Sequence, residues 1–179
     1  MSVIIKTIYN KTPNVKNAKF IGDSFISGDV KIGMNSSIFP NCSIRADLAS
    51  IIIGDNVNIQ ENTVIHVSEK ENDDYRINPK GHVVIGEGTT IGHGCIIHAC
   101  QIGKNCIIGM GTIIGDNAII EDNCLVGAGS NVTPRTVVKQ KELWFGNPAK
   151  YMRDLRDSDL EYIKKNCEIY LQLSEEYTK

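Results

Sequence analysis

Leucine is almost missing from the first three quarters of this chain. The 179 residues hold 7 Leu against 27 Ile, and 5 of the Leu lie after residue 142. Leu is normally among the commonest residues, so its scarcity argues against a helical body. The Ile excess points to strands, because a side chain branched at Cβ is stiff and suits a pleated surface. The late return of Leu points to a helix at the end. No run approaches 18 apolar residues, which excludes a transmembrane helix. Met1 to Tyr9 carries one Lys and no apolar core of signal-peptide length, so a cytoplasmic chain is expected. Lys and Arg number 19 against 21 Asp and Glu, so the basic footprint of a nucleic-acid binder is missing. The six Cys include no Cys-x-x-Cys pair. They read as free thiols in a reducing compartment.

What is present is a ladder. Ile recurs at 26, 32, 38 and 44, then at 53, 59 and 65, then at 85, 91 and 97. It resumes at 102, 108, 114 and 120, and Val126 and Val132 continue it. Every step inside these runs is six residues. That period fits neither an amphipathic helix nor a hairpin array, and it predicts a parallel β-helix of hexapeptides. Three hexapeptides close one coil, and coils stack at about 4.8 Å. The aliphatic points inward. Gly often follows it, as at Gly33, Gly54, Gly92 and Gly109, and is expected to ease the turn through positive φ. Cys42, Cys95, Cys106 and Cys124 all stand fourth after an aliphatic, where small residues face inward, so they read as buried packing.

The breaks in the ladder are informative. Three residues are inserted between Ile44 and Ile53, and fourteen between Ile65 and Ile85, including a polar run from Ser68 to Asp74. Loops that leave a rigid scaffold usually carry function. The tail changes character. Gly146-Asn147-Pro148 is a turn signal, and Ser158 with Glu161 makes a capping box. Leu160, Ile163, Cys167 and Tyr170 then follow at helical spacing, a helix to cover a flank of the solenoid or a partner subunit. The expected organisation is an all-β fold with a C-terminal helix. It comprises a lead-in strand in 1–20, the β-helix in 21–138, a connecting loop in 139–157 and the helix in 158–179.

All four His lie between residues 66 and 98. His66 follows Ile65, and His98 follows Ile97, three hexapeptides later. They should therefore stack one coil apart on one face, near enough for two imidazoles to reach one ion at about 2.0–2.1 Å each. His93 stands third in its hexapeptide, on a different face. A threefold oligomer would bring it to a neighbour's His66 and His98. Three neutral imidazoles and an open position make the pattern of a catalytic zinc site, where bound water has a pKa near 7. Arg45 falls one coil before His66, with Asp47 near it as a clamp partner. Gln60 shares the face of His93 and is placed to hydrogen-bond water on the ion. Three unrelated surface His are the bland alternative.

The ladder, Arg45-Ala46-Asp47, Gln60-Glu61-Asn62, His66, Gly92-His93-Gly94 and His98 together resemble the γ-class carbonic anhydrase family, over about residues 10–155. Gly146 to Lys150 also resembles its short bacterial members. The resemblance implies a left-handed β-helix and a homotrimer acting on a small molecule, with metal between subunits. His66 and His98 of one chain and His93 of the next would hold zinc, or alternatively ferrous or cobalt ion. Arg45, Asp47 and Gln60 match the family's residues beside the metal. Glu61 stands where the family usually has Asp. Glu69 has the family's proton-shuttle spacing, three residues after the first ligand. The implied reaction is hydration of CO2 to bicarbonate. Two other classes stay open. One is a CoA-dependent acyltransferase or thioesterase with His82 as base, and the other a non-catalytic metal-binding trimer. Neither nucleic acid nor membrane is expected as a partner.

Overall fold

The computed structural model describes residues 2–69 and 81–179. The chain winds a parallel β-helix of about seven coils. Each coil contributes a short strand to each of three faces. Face one carries residues 24–27 and 43–46, then Val64–His66, Ile96–His98, Ile113–Ile114 and Asn131–Val132. Face two follows with residues 30–32 and 51–53, then Val83–Ile85, Gln101–Ile102, Ile119–Ile120 and Val137–Val138. Face three begins with Lys19–Phe20 and Ser37–Ile38 and ends with Leu125–Val126 and Glu142–Gly146. Face one therefore has a leading edge, where the chain arrives from face three, and a trailing edge, where it leaves for face two.

The six-residue ladder is the core. Ile44, Ile65, Ile97 and Ile114 pair in register down face one, and all are 0% exposed. The four ladder cysteines are buried as expected, and burial pushes the Cys42 and Cys95 thiols up to about 11. That suits packing, not nucleophilic chemistry.

The glycines act differently from expectation. Gly92 and Gly109 do not have positive φ. A Cβ on Gly92 would lie 2.6 Å from the Met110 nitrogen, and one on Gly109 2.4 Å from the Ala128 nitrogen. They are glycine because the next coil's backbone passes too close for a side chain. The left-handed turn residue stands third after the aliphatic at most corners instead. It is Asn at 35, 41, 56, 62, 105, 117 and 123, the residue besides Gly that visits this region most readily.

The ends of the solenoid also lie outside the expected bounds. Phe20 stands six residues before Ile26, and Trp144 six after Val138. Lys19–Phe20 pairs with Ser37–Ile38, and Trp144 pairs with Val126, so aromatic side chains extend the ladder at both ends. Segment 139–157 is thus not a connecting loop. Glu142–Gly146 is a last strand of face three, and Ala149–Asp154 folds back on it antiparallel. Ahead of the ladder, Val3–Lys6 pairs with the start of Ser24–Ile32.

The C-terminal helix is Asp157–Tyr177. Its cap is not Ser158. The Arg156 N–H donates to the Asp159 carboxylate (2.7 Å), which the Arg153 guanidinium also grips at 2.6 and 3.1 Å. The helix runs back along face three. Asn166 meets Thr90, Tyr170 stands edge-on to Phe39, and Lys19 pairs with Glu175 near the far end. Replacing fully buried Ile108 by Ala should cost about 2–5 kcal/mol. Gly109→Ala should destabilise as well, through collision with the next coil and not through turn strain. Thermal unfolding of both variants checks this, and a Gly109→Ala protein as stable as wild type would contradict the packing account.

Candidate metal centre

Two ladder interruptions shape the trailing edge of face one. Gly28 pairs with Ala46 and Val30 with Ile51, so Asp47 to Ser50 oppose the single residue Asp29. The three extra residues push outward there and carry Asp47 to the corner. The longer insertion is closed by the Ser68 N–H, which donates to the Gly81 carbonyl (3.1 Å). The ladder resumes in register at Val83–Ile85. Residues 70–80, most of the polar run, lie outside the described residues, while Glu69 is described and exposed.

Arg45, His66 and His98 stack in one file along this edge, each in register with the next. His66 Nδ1 lies 3.2 Å from His98 Nε2. The far nitrogens are both taken by carboxylates. His66 Nε2 lies 3.0 Å from Asp47 Oδ1, and His98 Nδ1 lies 2.5 Å from Asp116 Oδ1. Arg45 in turn grips Asp47. Burial pushes the His66 ring below its ordinary pKa, aided by the positive Arg45 and the second imidazole and opposed by Asp47. Burial alone would raise the Asp47 carboxyl, but hydrogen bonds, foremost from His66, hold it below its usual value. At neutral pH the edge thus presents a neutral His66 beside an ionised Asp47.

His93 stands in the turn at the leading edge. Its Nδ1 lies 2.6 Å from Glu61 Oε2, one coil above at the equivalent position. Glu61 therefore does for His93 what Asp47 and Asp116 do for the other two rings. Gln60 is 4% exposed, so it is not a solvated surface residue. Its Nε2 donates to Asn58 Oδ1 (3.1 Å), Asn58 Nδ2 donates to Thr90 Oγ1 (2.8 Å), and Thr90 Oγ1 donates to Asn166 Oδ1 (2.8 Å). The helix thus fixes Gln60 through three hydrogen bonds. Gln60 and His93 line a cavity of about 300 Å³ against Tyr162 and Tyr170 of the helix.

Asp116 is the member of this site that coil counting stopped short of. Ile97 stacks on Ile114, so Gly115 falls at the register position of His98, and Asp116, the next residue at the corner, reaches back to the ring. Continuing the count one coil past the last His leads to its immediate neighbour.

The two facing imidazoles fit a divalent ion. Two nitrogens at about 2.0–2.1 Å from one tetrahedral ion stand roughly 3.3 Å apart, against 3.2 Å here. Carboxylates on the far nitrogens are the usual outer partners of metal-binding His. Among the described residues, no group of three His, Cys, Asp or Glu side chains in one chain is placed to hold a metal. His66 and His98 thus offer half of a site at one edge, and His93 stands at the other edge of the same face. Asp116→Ala should weaken zinc or cobalt binding about 10–100-fold while the fold persists. Chelator competition measures this, and unchanged affinity would remove Asp116 from the site.

The family profile described as Dynactin subunit 5 matches residues 3–178. A carbonic anhydrase of Geobacillus kaustophilus is 38% identical over 93% of this chain and 87% of its own length. Mitochondrial gamma carbonic anhydrase 2 of Arabidopsis thaliana is 36% identical over 96% of this chain, which spans 60% of that protein's length. A hexapeptide transferase family protein of Anaplasma phagocytophilum superposes with a TM-score of 0.88 at 38% identity, covering 97% of this chain and 98% of its own. The ladder, the stacked His pair and these identities over nearly the whole length place the chain in the γ carbonic anhydrase family of hexapeptide-repeat proteins.

Proposed function

We propose that three copies of this chain close around face one and hydrate CO2 to bicarbonate at metal sites shared between neighbours. The observation that carries this is the placement of His66 and His98 at one edge of face one and of His93 at the other. A threefold operator that turns the three copies of face one toward a common axis sets each trailing edge against the next leading edge. Each such junction then holds His66 and His98 from one chain and His93 from the next. The face between the edges suits burial. Val64, Ile96 and Ile113 stack in register on its outer side and are 42%, 45% and 43% exposed. An aliphatic row of this kind, rimmed by polar residues, marks an interaction surface.

The nitrogen donors suit zinc, with ferrous or cobalt ion as alternatives. Such an ion, when bound, supplies the acidity that makes hydroxide available at neutral pH. The chain's own groups do the rest. Asp47, Asp116 and Glu61 orient the three rings. Gln60 presents a fixed side chain beside His93, and its Oε1 can accept a hydrogen bond from attacking water. The ionised Asp47, clamped by Arg45, adds negative charge next to the His pair. Glu69, exposed three residues after His66, passes the released proton to solvent.

Acyl transfer from a CoA thioester is the second reading, with His82 as base in a cavity of about 370 Å³ lined by Tyr9, Lys11 and Ser50. The hydrogen bonding of that ring favours the first reading. The Ser50 backbone N–H donates to His82 Nδ1 (2.9 Å), and Ser50 Oγ lies 2.7 Å from the same nitrogen. The nitrogen that must accept a proton is already engaged. An acetyl-CoA turnover that His82→Ala abolishes, in protein stripped of metal, would reverse this preference.

Two experiments test the main reading. One variant lacks His93, and another lacks both His66 and His98. Each alone is short of ligands at every junction, whereas a mixed trimer rebuilds complete junctions. Co-expression should partly restore metal binding and CO2 hydration, and mixed trimers without metal would refute the shared site. Glu69→Ala should lower turnover in weak buffer, and imidazole buffer should restore it. Turnover equal to wild type in both buffers would make Glu69 an ordinary loop charge.

A further inference from the structure

We infer that the outer stripe of the C-terminal helix docks on a second copy of this chain, against Leu48 and Ile52 of the partner subunit. The inference rests on the trimer proposed above and adds a contact outside face one.

The helix has two apolar stripes. One, with Ile163 and Ser174 buried and Cys167 and Tyr170 partly buried, packs on face three of its own chain. The other is Tyr162, Ile169 and Leu173, at steps of seven and four, which place them in one line. They remain 55%, 42% and 41% exposed. The direction of this stripe is fixed by its neighbours. Tyr162 and Tyr170 lean over the leading edge of face one, where they line the cavity of Gln60 and His93. Cys167 leans the opposite way, its thiol 3.5 Å from the Asn56 carbonyl. Going round the helix, Tyr162, Ile169 and Leu173 lie beyond Tyr170 on the side away from Cys167. The stripe therefore overhangs the leading edge.

The trailing edge carries the complementary feature. The bulge at Asp47 to Ser50 leaves Leu48 48% exposed at this edge, and Ile52, on the adjoining outer side of face two, is 45% exposed. Heights along the solenoid agree. Ile169 lies between Cys167, which meets Asn56, and Tyr170, which stacks on Phe39. Leu48 and Ile52 lie in the same coil, between Phe39 and Asn56. A threefold axis parallel to the solenoid preserves height. The rotation that brings His93 to the partner's His66 and His98 thus brings Ile169 to the level of the partner's Leu48 and Ile52. A cyclic trimer joins two different patches at each junction, and these two are apolar, exposed and matched in level.

The test uses charge substitution in the full chain, read by native mass spectrometry and by dilution. Ile169→Glu and, separately, Ile52→Glu should each raise the trimer dissociation constant at least about 10-fold, because an unpaired charge would be buried. Ile169→Glu combined with Ile52→Lys should recover much of the loss, since the opposite charges then face each other across the junction. Circular dichroism confirms that each monomer is folded. If Ile169→Glu unfolds the helix, Leu48→Glu reads the same contact from the edge that does not touch the helix of its own chain. A trimeric wild type whose variants stay equally trimeric overturns the docking and leaves the shared metal site standing. A wild type that is monomeric with metal present overturns both.

Discussion

Everything in this molecule depends on a file of aliphatic side chains stacked at the spacing of hydrogen-bonded strands. A single coil cannot bury its own interior, so each isoleucine is covered only by the coils above and below. Ile44, Ile65, Ile97 and Ile114 show the result, fully buried and in register. The same register governs the outside. A side chain one place after the buried one must stack on its counterpart a coil away. Arg45, His66 and His98 form such a file because Ile44, Ile65 and Ile97 form theirs. The geometry of the candidate site is inherited from the hydrophobic core.

The corners protect that register. Asn or Gly third after the aliphatic turns the chain, and glycine directly after it lets successive coils approach. Extra residues are tolerated where they leave and return at one corner. Loop closure grows only slowly more costly with length, and the Ser68–Gly81 bond brings the chain back to the ladder. Both larger insertions leave at the trailing edge of face one. The rigid solenoid supplies the His file there, and the insertions supply Asp47 and Glu69 around it.

The sequence made the repeat, the buried cysteines, the helix and the stacking of His66 on His98 legible, because each follows from counting in sixes. It concealed the ends of the solenoid, since Phe20 and Trp144 keep the step but are not aliphatic. It also concealed why the glycines are there, because collision between neighbouring coils leaves no local signature. Positive φ was carried by asparagine, a residue whose polar side chain draws attention away from its backbone. The pairing of Glu61 with His93 follows from the same arithmetic, applied to carboxylates as well as histidines, whereas Asp116 lies one residue past the position in register with His98.

The proposed division of the ligand set would have an energetic consequence. A structural zinc site is usually completed as its domain folds, so metal binding drives folding. Here the buried ladder contains none of His66, His93 and His98. Each ring is already held by a carboxylate at 2.5–3.0 Å, so little side-chain freedom remains to be lost on binding. In the proposed trimer, the ion would instead act on assembly. It binds the associated chains more tightly than the separate ones, so by mass action it stabilises association. On that proposal, a solenoid that offers two nitrogens at one edge and one at the other would link metal occupancy to oligomerisation.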